Sequence, residues 1–149
     1  LFWYLFIMQI IMGTPMGNQP APDGLLIVFW LLFGIGMPAL FVTARLITEV
    51  REDGIYIRYI PFHRSFRTIV FTDIAHCEVR TYRPILEYGG WGIRGGVHDR
   101  AYTVSGNRGV QVEFIDGRRL LIGTRHPGEL HRAIDAGYRS QIRWTMNGI

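Results

Sequence analysis

The chain has 149 residues, room for one ordinary domain and a short extra segment, and its formal net charge of +4 is unevenly placed. From Leu1 to Ala44 the only charged residue is Asp23, whereas Arg45 onward holds all 16 basic residues, every one an arginine, against 11 acidic ones. A water-facing surface needs hydration along its length, so the leading third is no ordinary soluble domain, and the single cysteine, Cys77, excludes a disulfide scaffold.

Residues 1–12 (LFWYLFIMQIIM) are uniformly apolar but span only about 18 Å as a helix, too short to cross a bilayer. They open on leucine and lack both a basic flank and a small-residue cleavage site. They therefore read as the later part of a transmembrane helix begun upstream, not as a signal peptide. A short or re-entrant segment, with Trp3 and Tyr4 at the interface, is the alternative. Residues 13–23 (GTPMGNQPAPD) contain two glycines and three prolines and predict a turn between antiparallel helices.

Residues 24–47 predict a complete transmembrane helix. The uncharged stretch 24–44 covers 21 residues, about 31 Å of helix against a hydrocarbon core of about 30 Å. Between Leu25 and Val42, 12 residues are Leu, Ile, Val or Phe, together favouring insertion by roughly 4–7 kcal/mol. Pro38, behind Gly34 and Gly36, predicts a bend. The turn carries no Lys or Arg, while Arg45, Arg51 and Arg58 follow the helix. The positive-inside rule puts the turn outside and the remainder in the cytoplasm.

Beyond Ile47 the apolar runs give way to alternation. Strands are predicted at Ile55, Ile57 and Tyr59, across residues 66–71 and 77–82, around 102–104, at Val110, Val112 and Phe114, and at 120–122. Asp116-Gly117 between the last two is a strong hairpin signal. A helix follows from about Pro127 to Ile142, with proline in its first turn, Glu129 near its positive end, and an apolar stripe of Leu130, Ala133, Ile134, Gly137 and Ile142. Residues 143–149 are left as a tail. Six or seven strands and one amphipathic helix predict a curved sheet or partly closed barrel with the helix over an open end.

Thr72-Asp73-Ile74, the Tyr88-Gly89-Gly90-Trp91-Gly92 segment, residues 110–114, Asp116-Gly117, Ile122-Gly123-Thr124 and residues 127–130 together resemble the prokaryotic pleckstrin-homology-like (PH-like) domains. The resemblance spans about residues 49–142. It implies a seven-stranded, two-sheet barrel capped by a C-terminal helix, behind two transmembrane helices, in the plasma membrane of a prokaryote. Most such proteins have no assigned activity. In lipid-binding eukaryotic relatives, basic residues around the first hairpin hold inositol phosphates; Arg58, Arg64 and Arg67 occupy that region here.

Chemistry-bearing patterns are sparse. Residues 89–96 (GGWGIRGG) lack the Lys-Ser/Thr end and strand-turn-helix setting of a phosphate loop and read as a twisted strand and loop, with Trp91 and Ile93 as an apolar tip beside Arg94 and Arg100. His126 and His131 are five apart and do not share a helix face as metal ligands would. His76 and Cys77 adjoin on a strand and point to opposite faces. The residues require no metal and no cofactor.

These observations predict a membrane-tethered, non-catalytic binding or scaffold module for a protein partner or a second copy of itself. Its contact candidates are Arg58, Arg64, Arg67, Trp91 and Arg94. The alternative is recognition of anionic lipid head groups by a basic face, each arginine near the surface worth up to about 1 kcal/mol. An enzyme acting on a membrane substrate through His98, Asp99 and His126 ranks last. Nucleic-acid binding lacks a basic stripe with stacking aromatics.

Overall fold

The computed structural model describes residues 1–14 and 22–147. The chain divides into two compact units between Ala44 and Arg45.

The first unit is helical. A leading helix covers residues 2–11, in α geometry over Phe2–Leu5 and in wider π geometry over Phe6–Ile11. The long helix Asp23–Thr43 has 21 residues, a mean hydropathy of 2.5 and few buried positions, so it is long and apolar enough to cross a membrane. Its middle, Trp30–Gly36, is also π-helical, just before Pro38. Proline offers no N–H to the carbonyl four residues earlier, that of Gly34. The indole N–H of Trp3 donates to that oxygen at 3.2 Å. A Cβ at Gly34 would lie 3.0 Å from Cδ1 of Trp30 and in ordinary contact, at 3.5 Å, with Nε1 of Trp3. Trp30 in turn stacks on Phe6 at 4.1 Å and meets Trp3 edge-on at 5.1 Å. Near the other end the Gln9 amide donates to Asp23 at 3.0 Å. The two helices are thus antiparallel. Most of the expected turn, residues 15–21, lies outside the described residues.

The second unit holds two sheets and one long helix. Strands β1 (Arg45–Val50), β2 (Gly54–Ile60) and β3 (Arg67–Val70) form an antiparallel sheet in that order. The expected membrane helix to residue 47 is therefore too long. Leu46 and Ile47 pair with Tyr59 and Arg58 of β2, because alternation with Arg45, Thr48 and Glu49 suits a strand. A 3₁₀ turn, Phe71–Asp73, leads into the second sheet. That sheet comprises β4 (Ile74–Thr81), β5 (Gly92–Gly95), β6 (Asp99–Thr103), β7 (Arg108–Phe114) and β8 (Arg119–Gly123), in spatial order β4-β7-β8-β6-β5. The β7–β8 hairpin inserts between β4 and β6, making β6 and β8 the one parallel pair among the described strands.

Two of the implied features need correction. The described strands number eight, and the barrel is not closed. The 3₁₀ turn separates β3 from β4, and β3 has no partner on its outer edge among the described residues. The core lies between the two sheets, with Ile55, Ile57 and Tyr59 from the first and Tyr102, Val110, Val112, Leu120 and Ile122 from the second all buried. Tyr59 ties them together, its hydroxyl donating to the carbonyl of Thr103 at 3.2 Å.

The terminal helix, Pro127–Asn147, runs five residues past the expected end. It packs on β4, β7 and the 3₁₀ turn and reaches β1 and β2, so it bridges the two sheets. Its own Ile134 is buried. His131 shares a hydrogen bond between its Nε2 and the Cys77 carbonyl at 3.2 Å. Gly137 lies directly against the Phe71 ring. A short helix over Pro84–Tyr88, which the sequence pattern does not reveal, begins on proline and ends at Gly89, whose φ of +68° suits glycine.

Candidate functional site

Where β3 parts from the second sheet, a cleft of about 290 Å³ opens. Arg67, Thr68 and Ile69 form one wall, and Val97, Arg100 and Tyr102 the opposite one. Phe114, Arg118, Arg119 and Leu120 of the β7–β8 hairpin close the end, and Ile57 and Asp73 complete the lining. Three arginines, Arg67, Arg100 and Arg118, therefore border one space with a single acidic residue, Asp73, while Arg119 lines it through its strand and turns its side chain to Asp99 on the other face of the sheet. The floor is apolar, since Ile57, Tyr102 and Leu120 are all buried.

Each arginine arrives by a local rule. Asp116-Gly117 makes the hairpin turn, with Gly117 at a φ of +83°. Asp116 then accepts from the Arg118 amide at 3.0 Å and from its Nε at 2.6 Å. These bonds, the backbone one foremost, hold the Asp116 carboxyl below its usual range. The Arg118 guanidinium also lies 5.2 Å above the Phe114 ring. Arg119 is placed by the parallel pairing, which sets it opposite Asp99, with an ion pair of 3.4 Å. Arg67 and Arg100 have no ion pair among the described residues.

His63 stands close enough to both for their charges to act on its ring. Its ring meets Tyr102 edge-on at 5.6 Å, and its Nδ1 accepts the Tyr59 amide at 3.3 Å, which leaves the proton on Nε2 of the neutral ring. Burial lowers its pKa below 6.5, and the charges of Arg67 and Arg100 lower it further. The cleft therefore carries a positive field felt by a neutral neighbour.

The contact candidates from the sequence divide among different tasks. Arg67 lines the cleft. Arg58 is half-buried on β2, where its Nε donates to the His63 carbonyl at 3.3 Å and its guanidinium lies 5.9 Å over Phe66; it holds the loop before β3. Arg64 is exposed in that loop. Trp91 is half-exposed, yet its indole N–H donates to the Gly106 carbonyl at 2.8 Å. Arg94 folds back on the same segment, donating to the Trp91 carbonyl at 3.1 Å. Neither lines the cleft. Sequence reasoning passed over Arg118 and Arg119 and used Arg100 only beside Trp91 and Tyr102. The sole advance signal was a pair of arginines directly behind the Asp-Gly turn.

His98, Asp99 and His126 are engaged separately: Asp99 with Arg119, the His98 carbonyl with the Arg119 amide at 2.8 Å, and His126 near Glu129 at 4.0 Å. Among the described residues no group of three or more His, Cys, Asp or Glu side chains is placed to hold a metal ion. On the far face of β4, burial pushes the Cys77 thiol up, with Asp135 adding to the shift.

No curated protein and no solved structure matches this chain. A family model, described as a family of unknown function (DUF6141), matches residues 1–140, and the chain belongs to that family.

Proposed function

We propose that this protein is a membrane-tethered, non-catalytic binding module whose PH-like second unit works at the cytoplasmic face of the plasma membrane. One observation carries the reading: a 21-residue apolar helix runs through a single residue, Ala44, into a folded unit bearing an arginine-lined cleft. The absence of Lys and Arg from residues 13–23, against Arg45, Arg51 and Arg58 after the helix, supports the cytoplasmic side. Tethering raises the local concentration of surface ligands, so weak contacts suffice.

A protein partner or a second copy of this chain is the first occupant to consider. The cleft favours the second reading, an anionic head group, because its guanidinium groups outnumber its carboxylates. The test is alkaline carbonate extraction of membranes holding the full chain, followed by detergent purification, cross-linking and lipid analysis. Retention in the membrane with a co-purifying partner, a second copy or a bound anionic lipid is expected. Release into the supernatant, or a solitary monomer carrying none of these, overturns the proposal.

A further inference from the structure

The gathering of three arginines at the mouth of an open sandwich needs a reason, because like charges held close together repel one another. One of them is offset within the fold, Arg118 by Asp116. Arg67 and Arg100 are not, and they approach from different sheets, one from the unpaired edge strand β3 and the other from β6. Arg100 is half-buried, so part of its hydration is already lost. Below them the space ends on Ile57, Tyr102 and Leu120. A group that suits both halves has an oxyanion at one end and a small apolar body at the other.

We propose that the cleft binds a phosphate group joined to a short apolar chain, with Arg67 and Arg100 clamping the phosphate between the two sheets and Arg118 completing the positive rim. This rests on reading the second unit as a binding module, and it names that module's ligand chemistry. Several planar guanidinium forks approaching from different walls match the three or more oxygens of a phosphate better than the two of a carboxylate. A cleft of about 290 Å³ lies at the small end of the range for ligand sites, which admits the head of a phospholipid or a free phosphomonoester. It is separate from the Arg58–Arg64 segment, whose mapped contact is structural.

The test uses the full chain in neutral maltoside detergent, titrated with inorganic phosphate, hexyl phosphate, dihexanoyl phosphatidic acid and dihexanoyl phosphatidylcholine. Affinity is read by calorimetry and by the imidazole resonance of His63, which neighbours both clamping arginines. Hexyl phosphate is expected to bind about tenfold more tightly than inorganic phosphate, and the zwitterionic lipid least. Tighter binding of phosphatidic acid than of hexyl phosphate assigns the ligand to lipid; the reverse order assigns it to a soluble phosphomonoester.

Arg67→Gln and Arg100→Gln should each weaken binding about tenfold or more, while Arg64→Gln leaves it unchanged. Protection of Cys77 from labelling verifies that each variant is folded. Undiminished binding in folded Arg67→Gln and Arg100→Gln, or no binding of any phosphate, overturns the proposal. If that happens while the protein still resists carbonate extraction and retains a partner, the cleft assignment fails and the tethered-module reading stands.

Discussion

Replacing Gly137 with alanine sets helix propensity against packing in one methyl group. Within a helix, glycine is about 1 kcal/mol less favourable than alanine, so backbone terms alone make Gly137→Ala stabilising. A Cβ at this position, however, would lie 2.4 Å from Cζ and 2.7 Å from Cε2 of Phe71. The Phe71 side chain is only 1% exposed, so the ring has no free space to enter. Overpacking of this kind costs about 1–3 kcal/mol. With the propensity gain subtracted, the expected change is a loss of about 1 kcal/mol.

The assay is already built into the chain. Cys77 is the only thiol and lies half-buried beside His131, Ile134, Asp135 and Tyr138 of the terminal helix, so maleimide labelling reports opening of that helix. A loss of about 1 kcal/mol accelerates labelling about fivefold. Phe71→Leu in the same chain should recover part of the loss, giving a measurable coupling. Gly128→Ala supplies the control, since a Cβ there meets nothing within 4 Å; its labelling should be unchanged or slower. If Gly137→Ala labels more slowly than the wild type, the packing argument is refuted.

Trp3→Phe keeps the aromatic contact with Trp30 but removes the donor to Gly34, and should weaken the helical pair by about 0.5–2 kcal/mol; an unchanged melting temperature in detergent contradicts this. His63 has a folded pKa below its unfolded 6.5, so its contribution to stability is full above that value and declines as pH falls toward the folded pKa. Denaturation across this window should show the decline, and His63→Gln should flatten it; an identical profile in the variant removes the assignment. Gly95→Ala is expected to disrupt the β5–β6 hairpin, because Gly95 has a φ of +88° and a Cβ would lie 2.0 Å from the Asp99 carbonyl oxygen. Gly96→Ala, in open space, is tolerated, and equal protease resistance of the two variants speaks against the difference.

Local patterns disclosed more of the fold than of the site. The apolar helix, the alternating strands at residues 55–59 and 110–114, the Asp116-Gly117 turn and the start of the terminal helix follow from spacings of two to four residues and appear where expected. The first strand was obscured because Leu46 and Ile47 continue an apolar run; only pairing with β2 shows that they belong to a sheet. Arg58 was grouped with Arg67 by proximity in the chain, yet it holds the loop before β3 while Arg67 faces the cleft.

From composition and periodicity alone came the partition into an apolar leading third and an arginine-bearing sheet domain, because transfer between water and hydrocarbon acts residue by residue and leaves its mark on any short window. Tertiary structure alone decided that the β7–β8 hairpin enters between β4 and β6, that the barrel stays open, and that Arg67, Arg100 and Arg118 border one space. Residues as far apart in the chain as Ile57 and Leu120 meet there through strand pairings whose order depends on the competition among all edges at once, and no local window contains that competition.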